Sequence, residues 1–253
     1  MKKRLKVLLL GGTGRIGPGF LEEYLEHYKN HYEIILGIHK KADRRFKNTK
    51  VNIFEISSLK KAMKGIDVVV HLAANANAKA KFDELLKPNI IGTYNVFQAA
   101  KEAKVKRIIF ASSIHAVEGY PHTHEVTNKE TPRPIDLYGA SKAFGEALCS
   151  VYSRNNGMSC FAIRIGAYTS NDNKKVVCID RKDYGHIISQ RDFAQLVHRC
   201  IIAPGKIKYG ILSGISNDKH KHLGLRFTKK LVGYKPKDDA YIMCAEIKRH
   251  KKM

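Results

Sequence analysis

Leu5-Lys-Val-Leu-Leu-Leu10 runs directly into Gly11-Gly-Thr-Gly14-Arg-Ile-Gly17-Pro-Gly-Phe20. The first six residues are mostly apolar and read as a buried strand. Glycines 11, 14 and 17 follow at every third place. Glycine permits a tight turn, and its missing side chain lets the backbone approach a pyrophosphate. Behind the turn, Ile16, Phe20, Leu21, Tyr24 and Leu25 recur at helical spacing. A helix starting there offers free N–H groups and a positive dipole end. A glycine triplet alone is weak, but the order strand, turn, helix makes it a dinucleotide signal.

The same alternation continues outward. Residues 33–38, 51–54, 67–71 and 106–112 and Ser159–Ile165 read as strands. Residues 57–64, 82–104 and 138–155 read as helices, the second either interrupted by Pro88 or carrying it in its first turns. Strands alternating with helices imply right-handed βαβ units and an α/β, Rossmann-type, doubly wound parallel sheet. After Gly166 the pattern loosens into a polar loop over 170–175, a helix over 191–203 and a strand over 207–212. The expected organisation is a dinucleotide-binding core, 1–165, and a small substrate cap, 166–253, packed as one structural unit.

At 253 residues the chain can bury a sizeable core. It has no apolar run of about 18 residues, so no transmembrane helix is expected. Met1-Lys-Lys-Arg resembles a signal-peptide start, yet the run behind it ends in the glycine turn and reads better as a strand. Five scattered cysteines without a Cys-x-x-Cys pair suit a reducing cytoplasm, not a disulfide scaffold or a zinc site. His122-x-His124 is a close histidine pair, but a metal there needs further ligands, and none is expected. With 46 Lys and Arg against 23 Asp and Glu, the net charge is +23. That favours anionic partners. The charge is dispersed, however, and no nucleic-acid-binding motif accompanies it, so a solvated basic surface is expected and nucleic acid is not.

The chemistry is carried by Leu137-Tyr-Gly-Ala-Ser-Lys142 and by Ser113, at the end of Arg107-Ile-Ile-Phe-Ala-Ser-Ser113. Tyr138 and Lys142 at i and i+4 share a helix face. A tyrosine is a poor base at neutral pH, with an ordinary pKa of about 10. A neighbouring ammonium stabilises its phenolate. A serine hydroxyl can hold the substrate oxygen beside it.

This constellation resembles the extended branch of the short-chain dehydrogenase/reductase superfamily, the NAD-dependent epimerase/dehydratase family. Further matches are His71-Leu-Ala-Ala74, Asn89-Ile-Ile-Gly-Thr-Tyr-Asn95, Arg164-Ile-Gly166 and Leu231-Val-Gly-Tyr-Lys-Pro-Lys-Asp-Asp239. Within the branch the chain looks most similar to uronate dehydrogenases and related sugar 1-dehydrogenases. The resemblance implies that Tyr138 is the general base, Lys142 its partner and a nicotinamide-ribose ligand, and Ser113 the hydroxyl that orients substrate. It implies cofactor contacts from Gly11, Thr13, Gly14, Arg15, Ile16 and Gly17, from Glu55 and Ile56 near adenine, and from Leu72, Ala73, Ala74 and Asn89. Ile114 and His115 would face the substrate, and Arg181 would hold its anionic group. A homodimer through the helices at 82–104 and 138–155 is implied as well.

Three positions depart from the uronate dehydrogenase pattern. Ile114 stands where Asn is usual, Ala167 where Ser is usual, and His39 where Asp is usual. The first two remove polar substrate contacts. At the third, Leu36-Gly-Ile-His39-Lys40-Lys41 ends the second strand without the acid that usually bonds an NAD ribose. His39 and Lys40 suit a 2′-phosphate, so NADP is slightly favoured and NAD stays open. The expected function is an NAD(P)-dependent oxidoreductase acting on a sugar or sugar acid, with an anionic substrate. A nucleotide-sugar epimerase or dehydratase and a non-catalytic dinucleotide-responsive regulator are the alternatives.

Overall fold

The computed structural model describes residues 4–39, 41–171, 185–218 and 221–250. Its centre is a seven-stranded, all-parallel sheet. The strands are β1 (Leu5–Leu10), β2 (Tyr32–Ile38), β3 (Lys47–Lys50), β4 (Val68–His71), β5 (Arg107–Ser113), β6 (Ser159–Ile165) and β9 (Tyr209–Gly214), in the order β3-β2-β1-β4-β5-β6-β9. A small two-stranded sheet pairs β7 (Ala167–Thr169) with β8 (Ile187–Ser189).

The sheet is covered on both faces, which is why its central strands read as continuous apolar runs. Every residue of β4, β5 and β6 is buried. Alternation along β1 divides the core. Val7 and Leu9 join Phe20 and Leu21 of α1 (Gly17–Glu23) and Phe193 and Leu196 of α6 (Gln190–Ile202). Leu8 and Leu10 join Leu59 of α2 (Ile56–Met63), Phe97 of α4 (Gly92–Glu102) and Leu148 of α5 (Leu137–Asn156).

The structure departs from the sequence expectations in several places. The third strand is Lys47–Lys50, just before the apolar residues expected to form it. It is an edge strand, mostly exposed, so charge is admitted there and apolarity is no guide; Val51 enters the core from the turn behind it. Pro88 does not break its helix. It sits in a π segment, Leu86–Ile91, between α3 (Phe82–Leu85) and α4, and a widened turn accommodates a residue without an N–H. Beyond Gly166, β9 completes the central sheet beside β6, and α6 packs on α1 and β5. Two further helices, α7 (Arg226–Val232) and α8 (Ala240–His250), follow, both unforeseen.

Cys149, Cys160 and Cys200 are free and buried. Cys244 is disulfide-bonded, which the scattered spacing of the cysteines did not suggest. Among the described residues no helix is long and apolar enough to cross a membrane.

Candidate active site

The carboxyl ends of β1, β4, β5 and β6 open on one crevice, where open α/β sheets take their ligands. The glycine turn forms its floor. Gly14 N–H donates to Gly11 O at 3.0 Å. Gly11 has φ +84°, and a Cβ there would lie 2.5 Å from the backbone nitrogen of Ala73. Glycine is therefore required on two counts, backbone conformation and space. A cleft of about 490 Å³ runs from this turn past Leu72, Ala73 and Ala74 to Ser113, Tyr138 and Lys142. A second, of about 230 Å³, shares Gly11, Thr13 and Ala73 and extends to Gly37, His39, Asn52 and Ile53. End to end they make a groove with an adenine-sized recess at one side and the three polar side chains at the other.

Tyr138 is placed by the start of α5. Asp136 caps that helix, its Oδ1 accepting the N–H of Gly139 at 2.6 Å. Gly139 lies against the carbonyl of His115 so closely that no Cβ fits. Ser113 ends β5, and its Oγ accepts the N–H of His115 at 3.3 Å, starting a 3-10 turn, Ile114–Ala116. Lys142, one turn beyond Tyr138, donates from Nζ to Ala111 O at 2.8 Å and lies 5.4 Å from the Tyr138 ring centre.

Burial dominates the electrostatics here. It raises the Tyr138 phenol above its ordinary pKa; a hydrogen bond with Ser113 and the charge of Arg15 pull the other way. Burial also pushes Lys142 down to about 7. The His115 ring stands edge-on to Tyr138, with centres 5.4 Å apart. Its Nδ1 bonds Asp136 Oδ2 at 2.7 Å, and Glu118 brings a second carboxylate within 2.9 Å. Beneath the site, Ser112 Oγ donates to Glu146 at 2.7 Å, and Arg164 grips the same carboxylate with two bonds of 2.9 Å, all buried.

Thr13, Arg15, Ile16, Leu72, Ala73, Ala74, Ser113, His115, Tyr138 and Lys142 all line the larger cleft. Five residues expected at the site do not line either part of the groove. Gly17 packs instead against the backbone of Gly12, where a Cβ would lie 2.3 Å from the carbonyl oxygen. Asn89 is a buried brace that bonds the backbone of Asn75 and the Ser141 hydroxyl. Ile114 turns into the core. Glu55 lies in a neighbouring groove, where it accepts from Asn52 Nδ2 at 2.6 Å. Ile56 packs on the core at the start of α2. Lys40 and Arg181 lie outside the described residues. Sequence reasoning missed Tyr168 and Ile165 on the cleft wall, and Asp136 behind His115. Asp136 was readable as a helix N-cap signal just before the Tyr138 helix; Tyr168 carries no spacing signal.

The family model described as NAD dependent epimerase/dehydratase family matches residues 7–183. An NAD-dependent glucose-6-phosphate dehydrogenase of Haloferax volcanii is 31% identical, over 92% of this chain and 94% of its own. A uronate dehydrogenase of Pseudomonas syringae pv. tomato is 27% identical, over 96% of this chain and 85% of its own. The crystal structure of a tyrosine-to-alanine mutant of uronate dehydrogenase from Agrobacterium tumefaciens, complexed with NAD, superposes with a TM-score of 0.84 at 26% identity, covering 98% of this chain and 90% of that one. The glycine turn, the parallel sheet and these likenesses have one conclusion: the chain belongs to the NAD dependent epimerase/dehydratase family.

Proposed function

We propose that this protein is a nicotinamide-dependent oxidoreductase that oxidises a carbinol carbon of a sugar or sugar acid. The observation that carries the reading is the convergence of Ser113, Tyr138 and Lys142 on the same cleft as the glycine turn. The dinucleotide would lie along the groove, its pyrophosphate on Gly11–Gly14 and its adenine against Gly37, Asn52 and Ile53, and would supply the hydride acceptor. Ser113 holds the substrate oxygen. Tyr138 takes the hydroxyl proton, and Lys142, beside its ring, stabilises the phenolate that must form transiently. His115, oriented by Asp136, fixes a second substrate oxygen. Residues 166–253 act as the substrate cap, and Ala167 and Tyr168 form its wall on the cleft.

An anionic substrate, a carboxylate or phosphate, is part of this reading. Arg15 is on the cleft wall, and the Haloferax relative is named for a sugar phosphate. Arg181, outside the described residues, is the sequence's candidate to hold that anionic group. For the cofactor the reading leans to NADP, because His39 stands at the adenine recess where an acid would favour NAD. The reading also includes a cytoplasmic homodimer. Phe82 of α3, Ile91 of the π segment and Tyr94 of α4, with Leu137 and Val151 on α5, are large apolar side chains left exposed, as a two-fold helix-on-helix contact requires.

The test is a screen of uronates, aldoses and sugar phosphates with NAD and NADP, read by nicotinamide absorbance. Net cofactor reduction with an anionic sugar is expected. Epimerised product without net reduction, or dinucleotide binding without turnover of any sugar, would overturn the reading.

A further inference from the structure

Outside the groove, three histidines distant in sequence come together. His122 follows the 3-10 turn, His186 lies just before β8, and His222 precedes Leu223. The rings of His186 and His222 stack at 4.8 Å with an 8° interplanar angle, and His122 lies 5.3 Å from the first and 5.5 Å from the second. One ring nitrogen from each falls within 4.8 Å of the others. His222 is 3% exposed, and neither of its nitrogens has a hydrogen-bond partner of normal geometry; a marginal contact with the backbone of His124 remains. A buried, unpaired imidazole aimed at two others is costly unless something occupies the space between them.

We propose that His122, His186 and His222 form a three-histidine site for a divalent transition metal of the zinc class. Three neutral imidazoles suit zinc, cobalt, nickel or copper, and with no carboxylate in the cluster they do not suit calcium or magnesium. A tetrahedral ion at about 2.0–2.1 Å from each nitrogen sets its ligands roughly 3.3 Å apart, so the three nitrogens would close by up to about 1.5 Å on binding. The fourth position is left to water. The pair adjacent in sequence is not the pair that forms the site: His124 turns away, stacks on Tyr120 and contacts Glu130.

The backbone already frames this centre. Val126 N–H donates to His222 O at 2.7 Å, His222 N–H to Gly185 O at 3.2 Å, and Gly224 N–H to Val126 O at 2.8 Å. An ion would clamp the same three segments through their side chains. One of them bears on the cleft: the carbonyl of His186 lies against Gly166, and the next residue, Ala167, lines the wall of the groove. The metal's role is thus to fix the substrate-side wall.

The experiment titrates chelator-treated full-length protein with Co²⁺ and then Zn²⁺. One Co²⁺ per chain with the visible absorption of a four-coordinate ion, displaced by Zn²⁺, is expected, together with a higher melting temperature in Zn²⁺. His122→Ala, at an exposed position that folding tolerates, and His186→Ala should each weaken Zn²⁺ binding at least about tenfold, while His124→Ala should not. Absence of the cobalt spectrum, or equal Zn²⁺ affinity in wild type, His122→Ala and His186→Ala, would overturn the proposal. So would loss of binding in His124→Ala alone.

Discussion

Asp136 ties His115 to helix α5: one of its carboxylate oxygens bonds His115 Nδ1 at 2.7 Å, and the other accepts the N–H of Gly139 at 2.6 Å. A single side chain therefore caps the Tyr138 helix and aims the imidazole beside Tyr138.

The two tasks separate by substitution. Asparagine caps helices about as well as aspartate, so Asp136→Asn should keep the melting temperature near wild type. It removes the charge behind His115, and kcat/KM should drop. Asp136→Ala loses both, and stability should fall by about 1 kcal/mol. Thermal melts alongside steady-state kinetics decide it; an Asp136→Ala protein as stable as wild type would refute the capping role.

Tyr138→Phe removes only the phenol oxygen. Turnover should fall by on the order of a hundredfold or more, the range for a general acid–base group, while dinucleotide affinity persists. Because burial raises the Tyr138 pKa, its base form gains population as pH rises. Sugar oxidation by the wild type should accelerate into the alkaline range. A pH-independent rate, or near-normal turnover in Tyr138→Phe, would remove Tyr138 from the mechanism.

Lys142 carries the opposite sign in stability. Its folded pKa is about 7, below the ordinary 10.5, so the unfolded chain binds the proton more tightly. The resulting destabilisation is fully present below pH 7 and fades as pH rises toward 10.5. Lys142→Met should therefore melt higher than wild type at pH 7, by roughly 2–4 °C per kcal/mol recovered. It should be inactive, and its advantage should shrink as pH approaches 10. Calorimetry at pH 7 and pH 9.5 reads this directly, and a lower melting temperature at pH 7 would contradict it.

His39 sits at the mouth of the adenine recess. An aspartate there accepts ribose hydroxyls and repels a 2′-phosphate. His39→Asp should weaken NADP and strengthen NAD, seen in dissociation constants for both. A wild type that already prefers NAD strongly would defeat the NADP reading.

Tyr94→Glu and Val151→Glu place charges on the exposed apolar faces of α4 and α5. Each should convert a dimer to a monomer by light scattering with little change in secondary structure. A wild type that is monomeric at micromolar concentration would rule out the dimer.

Much of this was legible before any coordinates. Strands β1, β2, β4, β5 and β6 were readable because the helices covering the sheet make each an apolar run, and the exposed, charged edge strand β3 was misplaced. The groove's polar end was readable because Tyr138 and Lys142 obey helical spacing and Ser113 ends a strand. What stayed hidden depends on long-range contact. Asn89 is a brace because Asn75 and Ser141 meet it, and Ile114 points inward because the strand gives way to a 3-10 turn. His186 and His222 are 36 residues apart by their numbering, and nothing local joins them to His122.

Arg164 spans more of the molecule than any pairwise account of it conveys. Buried at the end of β6, it holds Glu146 of α5 and reaches the carbonyls of Thr127 and Glu130. The stretch around 127–130 is thereby bolted to the helix that presents Tyr138, although it belongs to no regular element. Removing one partner of so deeply buried an ion pair strands the other charge. A substitution in this stretch is therefore felt through Arg164 and Glu146 in the helix that carries Tyr138, although no residue of it lines the cleft.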